Sequence, residues 1–598
     1  MNQETLAGQA KQCQNCKKDF VIEPEDFNFY SKMKVPAPTW CPDCRMQRRL
    51  AFRDVRVLYK RKSDNNGKMI FSIFPESSPY KVYDRDYWWS DAWDPMPYGK
   101  DYDFLRPFFE QLKELSLKVP APSQTAWNMV NSDYCTGANG LKNCYLTFVA
   151  VESEDCMYSS WINKTRGCID VTQLESCEQC YESFSLLKSN KVFFSYDCEE
   201  CVDVWFSRNL QGCMNCIGCA NLRNKQYYIF NQPYSKKDYE KKFLDFNLGS
   251  VKSLEEFAKN SEEFLSKNIV RYVQGKHNFN VSGEYINNSK NVRDSYYVIG
   301  GEDCKYSQYL ITPPIRDCMD LSHWGEGVEL IYETSSCGVN SSRIKFSYRT
   351  YRESHDCEYC FQCANCSYLF GCVGLQKKQY CIFNKQYTKE EYEELVPKII
   401  AHMNEMPYVD KKGSTYKYGE YFPAELSPFS YNETVAQDDF PLTKEEAITE
   451  GYRWKDPDEK DYKITLQSEN IPDNIKDIKD NILNETIGCL HKGGCQDKCT
   501  VAFRITKAEL DFYRANKLPI PRLCHNCRHV RRAKDKSPLK LWHRKCACSG
   551  EKSGNGIYQN QTKHSHGDKH CSNEFETPYS PDRKAIVYCE QCYQQEVV

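Results

Sequence analysis

Short apolar and aromatic runs, rich in Tyr, Phe, Val and Trp and separated by polar residues, recur between the cysteines from residue 135 to residue 219, as in VFFSYDCEECVDVWFS. Runs of this kind favour strands over helices. Five cysteines recur there at intervals of 21 positions: Cys135, Cys156, Cys177, Cys198 and Cys219. A fixed period without a heptad predicts stacked units, each of which buries its apolar face against the next. We therefore predict a mainly β protein that contains a β-solenoid with coils of about 21 residues.

The repeat region occurs twice. The segment LRNKQYYIFNQPYSKKDYEKKF at 222–243 matches LQKKQYCIFNKQYTKEEYEELV at 375–396, and in the second copy the cysteine steps of 14, 19 and 20 indicate coils of varying length. Ser235 and Thr388 each precede an acidic residue by three positions, which predicts a capping helix after each arm. Ser253 with Glu256 predicts another helix, and apolar spacing predicts a short one from Pro107 to Leu117. The predicted fold is a two-arm β-solenoid with capping helices, flanked by small zinc-ribbon modules.

Changes in composition divide the chain into eight segments. At 598 residues it is too long for one compact core. The predicted segments are zinc ribbon 1 with a basic arm (1–62), an aromatic-rich connector (63–134), solenoid arm 1 (135–234), a helical insert (235–276), solenoid arm 2 (277–384), a helical cap and connector (385–486), zinc ribbon 2 with a basic arm (487–545) and a C-terminal zinc-binding module (546–598).

Paired cysteines near both ends predict metal sites. Two CxxC pairs present four thiolates from two tight turns, the arrangement that closed structural zinc sites use. The spacing of 25 from Cys16 to Cys41 recurs from Cys499 to Cys524, with matching residues between, so the ribbon is present twice. The predicted ligands of these two sites are Cys13, Cys16, Cys41 and Cys44, and Cys495, Cys499, Cys524 and Cys527, with Cys489 and His491 as substitutes in the second set.

A third cluster offers five cysteines for four ligand positions. We favour Cys548, Cys571, Cys589 and Cys592 over Cys546, while a histidine of HSHGDKHC competes for a place. No HExxH or comparable pattern accompanies the clusters, so we expect about three structural Zn²⁺ sites rather than a catalytic one. For the cysteines of the arms, buried thiols are the main interpretation. The alternatives are zinc or an iron–sulfur cluster at CEYCFQCANC or CMNCIGC, and a catalytic thiol beside His355.

The net charge of −2 excludes binding to nucleic acid through the field of the whole chain, but the basic residues are concentrated in two places. CRMQRR at 44–49 matches CRHVRR at 527–532, and arginines spaced by three and four lie on one side of a helix, where they can follow phosphates. The alternative is a solvated charged face or a contact to the protein's own acidic connector. The candidate nucleic-acid contacts are Arg45, Arg48, Arg49, Arg53, Arg528, Arg531 and Arg532.

Cysteine use and the N-terminal sequence suggest a location. MNQETLAGQAKQ lacks the apolar core of a signal peptide, and no apolar run approaches the length of a membrane span. In a reducing compartment, 34 cysteines are expected as metal ligands and thiols rather than disulfides. We therefore expect a cytoplasmic protein that does not bind a membrane.

Four stretches carry a resemblance to known proteins. They are FRITKAELDFYRANKLPIPRLCHNCR, NKQYxIFNxxYxKxxYE, YFPAELSPFSYNETVAQDDFPLTKEEA and FETPYSPDRKAIVYCEQCYQQEVV. Together they resemble a group of uncharacterised, cysteine-rich zinc-ribbon proteins of bacteria. The resemblance covers most of the chain and implies a bacterial cytosolic zinc protein, but it brings no activity and no catalytic residue.

These patterns lead to one functional hypothesis and two alternatives. We expect a non-enzymatic multi-zinc protein that binds nucleic acid, RNA before DNA, or a ribonucleoprotein through its basic ribbon arms. The first alternative is a scaffold whose solenoid faces bind protein partners. The second is an enzyme that uses a thiol or a metal cluster in the arms.

Overall fold

The computed structural model describes residues 8–54, 56–456, 462–495 and 498–597. The chain divides into two compact units, Met1–Gln124 with Val273–Lys455 (unit 1) and Thr125–Tyr272 with Asp456–Val598 (unit 2). Unit 1 combines the N-terminal ribbon with the second arm of the repeat, and unit 2 combines the first arm with the C-terminal modules. Each ribbon therefore belongs to the arm that is more distant from it in the sequence.

The α-helices are short and lie mostly outside the repeats. In the described ranges they are α1 Pro24–Met33, α2 Pro42–Leu50, α3 Arg85–Trp89, α4 Phe108–Lys118, α5 Lys236–Asp245, α6 Val251–Ser266, α7 Lys389–Glu405, α8 Val435–Asp439, α9 Lys444–Thr449, α10 Lys507–Ala515, α11 His525–Ala533 and α12 Glu590–Val597. Six 3₁₀ turns also occur there: Met96–Tyr98, Ala424–Leu426, Tyr431–Glu433, Ser468–Asn470, Ile475–Asp477 and Asp480–Asn484.

Four of these helices test the sequence predictions. Helix α4 confirms the predicted helix at 107–117, and α5 and α7 begin at the predicted caps, because Ser235 and Thr388 accept hydrogen bonds from the N–H groups of Asp238 and Glu391. Helix α6 begins earlier than predicted. Its cap is Ser250, whose side chain accepts a hydrogen bond from the N–H of Ser253.

The first arm forms a 12-stranded sheet, here called the first ladder, which is parallel except for its last strand. Its neighbouring strands pair parallel, for example Phe148 with Ser160 and Ser160 with Thr172. The strands are Ala126–Trp127, Thr136–Asn139, Phe148–Val151, Ser160–Asn163, Ile169–Glu175, Tyr181–Leu187, Asn190–Phe193, Tyr196–Glu199, Val202–Trp205, Met214–Ile217, Gln226–Ile229 and Gln232–Pro233.

The second arm forms a 13-stranded sheet, the second ladder, with the same parallel pairing up to an antiparallel last strand. Its pairing step varies: Gly283 pairs with Ser295, whereas Ile315 pairs with Val328. The strands are Gly275–Lys276, Gly283–Asn287, Lys290–Arg293, Ser295–Ile299, Gly301–Lys305, Gln308–Leu310, Ile315–Gly325, Val328–Gly338, Ser342–Lys345, His355–Glu358, Ser367–Phe370, Gln379–Ile382 and Lys385–Gln386.

The coil length predicted from the cysteine spacing is wrong, because paired residues of the first ladder are 12 positions apart. We call each step of this kind a rung. Every third residue of a rung has a positive φ, as at Val149, Glu152, Asp155 and Tyr158, so the backbone turns four times per rung. Every third residue is also buried inside, and a step of 21 is a multiple of three but not of 12. The cysteine spacing of 21 therefore reflects the interior period of three residues and does not give the rung length of 12 residues.

Small polar side chains inside the ladder bond one rung to the next. Ser207 donates to the carbonyl of Trp205 at 2.7 Å and accepts the N–H of Cys219, on the next rung, at 2.9 Å. Cysteine can take the same place, since Cys168 accepts the N–H of Cys180 at 3.1 Å. Backbone groups that are buried away from water need such partners. This requirement explains why serine and cysteine recur at interior positions.

One apolar face of each ladder is covered within its own unit. In unit 2, Tyr181, Phe193 and Trp205 from consecutive rungs pack with Phe257 of α6 and Tyr513 of α10. In unit 1, Tyr332, Phe346 and Tyr359 pack in one cluster with Tyr30 of α1 and Phe108 of α4. The aromatic residues of the repeats thus join each ladder to the helices and the ribbon of its unit.

Short sheets complete the two units. Unit 1 contains the pairs Gln9–Gln12 with Asp19–Ile22, Tyr59–Lys62 with Met69–Ser72, Val82–Tyr83 with Ala121–Pro122, and Tyr408–Val409 with Thr415–Tyr416. Unit 2 contains Ile269–Arg271 with Ile586–Tyr588, Trp542–Lys545 with Glu574–Thr577, and the three strands Leu466–Gln467, Ile487–Gly488 and Ala502–Phe503. Together with the ladders they make the protein mainly β, as predicted. None of the helices in the described ranges has both the length and the apolar character that crossing a membrane requires.

Candidate metal centres and the buried arginines

Three groups of four cysteines come together, with all sulfur atoms of a group within 4.8 Å of one another. The first contains the four predicted residues, Cys13, Cys16, Cys41 and Cys44. Sulfur pairs such as Cys16–Cys41 at 3.7 Å and Cys571–Cys589 at 3.9 Å are too far apart for disulfides. They match the separation of about 3.8 Å between thiolates on a tetrahedral zinc with Zn–S bonds of about 2.3 Å. The donor set and spacing fit a closed Cys₄ metal site.

Two ligand sets differ from the prediction. The second group is Cys489, Cys499, Cys524 and Cys527, so the substitute Cys489 takes the place that was given to Cys495. The third group is Cys546, Cys571, Cys589 and Cys592, so Cys546 takes the place that was given to Cys548. Cys495 instead lies 3.6 Å from Cys527, in a smaller group with His491.

One hydrogen bond identifies the first ligand of every cluster. The backbone N–H of Cys41 donates to Cys13 Sγ at 3.2 Å, that of Cys524 to Cys489 Sγ at 3.3 Å, and that of Cys589 to Cys546 Sγ at 3.2 Å. Cys546 is thus the equivalent of Cys13 and Cys489. Sequence spacing did not reveal this because the loop between the first two ligands differs in length in each module.

A helix begins beside every cluster. Cys41 and Cys524 are the N-caps of α2 and α11, and α12 begins directly after Cys589. The N-terminus of a helix stabilises thiolates through its free N–H groups and its dipole. The pKa of Cys13, Cys524 and Cys589 lies far below the usual thiol value, because side-chain hydrogen bonds from Cys41, Cys489 and Cys546, respectively, stabilise the thiolate. The grouped sulfurs beside a helix N-terminus fit a site for a cation.

The first arginine strip is buried inside unit 1. Arg45 and Arg49 both contact Asp320, with N–O distances of 2.8 Å. Arg48 lies 2.5 Å from Glu333 and 3.4 Å from Glu420. The exposure of Arg45 and Arg48 is 1 % and that of Arg49 is 0 %; Arg53 is also buried. This side of α2 therefore faces carboxylates of its own unit rather than solvent.

The second strip repeats this arrangement in unit 2. Arg528 lies 2.7 Å from Asp170, and Arg532 lies 3.2 Å from Asp170 and 3.3 Å from Glu182. Arg528 and Arg532 are buried, whereas the side chain of Arg531, 2.9 Å from Glu182, is 56 % exposed. Of the seven predicted nucleic-acid contacts, only Arg531 has an exposed side chain.

The carboxylates that receive these arginines were missed at the sequence level. Asp170 and Glu182 lie at equivalent positions on consecutive rungs of the first ladder, and Asp320 and Glu333 lie at equivalent positions on consecutive rungs of the second. All four have a positive φ, which places them at corners. Acidic residues that recur at the spacing of one rung could have predicted these carboxylates, but the rung length was not known from the sequence. The buried arginines do not form the solvated face of the first alternative. The second alternative, a contact to the acidic connector, holds for Arg48, which lies 3.4 Å from Glu420.

The cysteines of the ladders are buried thiols that donate to carbonyl groups. Cys156, for example, donates to the carbonyl of Glu154 at 3.3 Å. In the described residues, none of the candidate metal groups includes a ladder cysteine. His355 does not act on Cys357: its Nδ1 lies 2.9 Å from Ser342 Oγ, while Cys357 donates to the carbonyl of His355. Burial raises the pKa of Cys135 and of Cys381 to about 12.

Comparisons with known proteins add little to this geometry. No protein-family model and no curated protein sequence matches the chain. Among solved structures, one described as a "putative acetyltransferase from Desulfovibrio desulfuricans G20" aligns with 48 % of this chain and 82 % of its own, at 8 % identity and a TM-score of 0.10. Such a score carries no argument about fold or activity. The fold and the cysteine clusters therefore define only a broad class: a cysteine-rich, mainly β protein with several clusters able to hold metal.

Proposed function

We propose that this protein is a non-enzymatic scaffold, built from two zinc-stabilised β-solenoids, that binds protein partners on the uncovered faces of its ladders. The parallel pairing at a constant step, with four turns of the backbone per step, supports a solenoid for the first ladder. The second ladder repeats the pattern with steps that vary from 11 to 14 residues. Each solenoid ends at its capping helix, α5 or α7.

Zinc is the ion that the clusters favour. Four thiolates in a closed tetrahedral set are the usual ligands of structural Zn²⁺. All 34 cysteines are free thiols, which supports a reducing compartment, the cytoplasm. These observations support a structural role for zinc, which would fix the start of α2 and α11 and so position their arginines.

The burial of the arginine strips is the observation that carries the proposal. Six of the seven arginines that phosphates would need are held by carboxylates or buried within their own units. Contact with nucleic acid would require α2 and α11 to leave the ladders and expose Asp320 and Asp170. The strips therefore act as internal clamps, and the surface for partners lies elsewhere.

The first ladder presents a regular uncovered column, one residue from each rung. Charges of alternating sign follow its first member, and Lys142 Nζ and a carboxylate oxygen of Glu154 lie 2.5 Å apart. Exposed apolar side chains lie at its start, where Val130 is 54 % exposed, and near its other end, where Met214 is 41 % exposed. Strands in a sheet are about 4.8 Å apart, so the column is a straight row of binding groups. Its members are Val130, Lys142, Glu154, Arg166, Glu178, Asn190, Val202, Met214 and Gln226.

A thiol enzyme fits the geometry less well. Among the ladder thiols, hydrogen bonds from Cys201 and Cys216 lower the pKa of Cys213 to about 3. Its exposure is 1 %, and its neighbours in the ladder are other buried residues. A substrate cannot reach this sulfur without opening the ladder.

Site-specific cross-linking tests the proposal. A photo-reactive amino acid at Met214 of the full-length protein would identify the partner in native cells, and the purified partner would then be titrated against V202E/M214E. We expect at least tenfold weaker binding by this variant, because two carboxylates would have to be buried in place of the apolar end of the column. I557E is the matched control, since Ile557 is 55 % exposed outside the ladder.

Two results would contradict the scaffold. One is equal affinity of the partner for V202E/M214E and wild type. The other is tight binding of a mixed-sequence RNA at about 50 mM salt that falls steeply by about 200 mM, which would restore the nucleic-acid hypothesis. Metal analysis of the same preparation tests the zinc assignment separately.

A further inference from the structure

Cys548 belongs to a fourth donor group, directly beside the third Cys₄ cluster. It lies with His564, His566 and Cys592, and the ligand atoms of the four are within 4.8 Å of one another. Cys548 Sγ is 3.4 Å from His564 Nδ1, and Cys592 Sγ is 3.4 Å from His566 Nε2. On a tetrahedral zinc, sulfur and nitrogen ligands lie about 3.6 Å apart. The spacing thus suits one ion held by two sulfurs and two nitrogens.

In both histidines, the ring nitrogen that points away from the sulfurs makes a hydrogen bond, so the other nitrogen can bind a metal. His564 Nε2 lies 2.9 Å from a carboxylate oxygen of Glu596, which can only accept, so the proton is on Nε2 and the lone pair of Nδ1 faces Cys548. His566 Nδ1 lies 2.7 Å from the carbonyl of Lys569, so the lone pair of Nε2 faces Cys592. Metal-bound histidines in proteins are oriented by such carboxylate and carbonyl partners.

Glu596 is itself held in place for this role. The N–H groups of Gln561 and Thr562 donate to it at 2.8 Å and 3.1 Å, and the side chains of His564 and Glu596 are completely buried. Asn560 donates to Cys548 Sγ at 3.3 Å, as Asn573 does to Cys589 Sγ in the adjacent cluster. The same kind of N–H···S contact therefore supports both groups.

We propose that the C-terminal module binds two metal ions, with Cys592 as a thiolate bridge between them. One ion takes Cys546, Cys571, Cys589 and Cys592, and the other takes Cys548, His564, His566 and Cys592. Four thiolates around one dication leave a net charge of −2 that is buried, and a second dication on the shared sulfur offsets it. Without a cation, Cys548 and Cys592 would have to stay protonated and donate to the two imidazole nitrogens at 3.4 Å. This site lies apart from the partner surface proposed above and does not depend on it.

Cadmium NMR on the full-length wild-type protein tests the bridge directly. After exchange with ¹¹³Cd²⁺, a shared thiolate gives two resonances split by scalar coupling to each other, one shifted as expected for four sulfurs and one for two sulfurs and two nitrogens. The measurement needs no variant, so a folding defect cannot obscure it. Two cadmium signals from this module without mutual splitting, or a four-sulfur signal alone, would overturn the proposal.

Metal counting by native mass spectrometry provides the second test. We expect four ions per chain, one for each Cys₄ cluster and one for the Cys548 site. H566Q should lose one ion and keep the four-sulfur signals. H570Q is the control, because His570 lies in the same segment but outside both groups, and it should keep every ion. An unchanged count in H566Q would contradict the site, and would also show that any fourth ion binds elsewhere, such as at His491 and Cys495.

Discussion

Arg528 shows at the scale of one residue how the second ribbon is held. Its guanidinium is buried against Asp170, whose carboxylate is 0 % exposed and also contacts Arg532. Burying charges is costly, and removal of one partner leaves the other uncompensated. The strip is therefore important for stability even though it leaves little charge at the surface.

The variant R528A should destabilise unit 2 by about 3–5 kcal/mol, because Asp170 would stay buried with only Arg532 at a longer distance. R531A, in the same helix, should lower the free energy of unfolding by about 1 kcal/mol or less. The side chain of Arg531 is largely exposed, and Glu182 would still contact Arg532. Urea unfolding, followed by the fluorescence of the tryptophans, measures the difference between the variants. Equal loss of stability in both would contradict the clamp.

At the scale of the element, the ladder depends on what fills its interior positions. S207A removes the acceptor of the Cys219 N–H, which then has no partner in the dry interior. We expect a loss of about 1–3 kcal/mol in the free energy of unfolding. S207C should cost clearly less, since Cys168 already performs this role for Cys180. Chemical denaturation of the two variants side by side makes the comparison, and a less stable S207C than S207A would be inconsistent with it.

The same element shows how far sequence reasoning reaches. Runs rich in Tyr, Phe, Val and Trp predicted strands, and caps such as Thr388 predicted helices, because both depend on neighbours in the sequence. The rung length was missed because the spacing of the cysteines follows the interior period of three residues. The step of 12 is visible only in the pairing of the strands. The ligand sets differ at Cys495 and Cys548 for a related reason: CxxC spacing identifies a knuckle, but loops of different length bring Cys489 and Cys546 to the Cys₄ groups.

At the scale of the whole molecule, the two units follow one plan. In each, a helix begins at a cluster of four cysteines, the helix carries arginines, and the arginines contact carboxylates on two consecutive rungs of a ladder. Since each ribbon pairs with the arm that is farther away in the chain, a unit is complete only when both of its segments are in place. Metal binding is therefore expected to stabilise the ladders as well as the ribbons.

Thiol reactivity tests this coupling. The 34 free cysteines fall into 20 in the ladders and 14 in the terminal modules, and nearly all are buried. With metal bound, we expect a thiol reagent to modify almost none of them quickly, because coordination protects the clusters and packing protects the ladders. After a strong chelator removes the metal, the 14 module thiols should react first and the 20 ladder thiols later, in a phase that follows the unfolding of the arms.

A chelator at equal concentration already saturated with zinc is the control. If the ladder thiols react while metal is still bound, their interior is open to solvent, and the thiol-enzyme alternative regains support; if they never react after chelation, the arms are stable without their clamps.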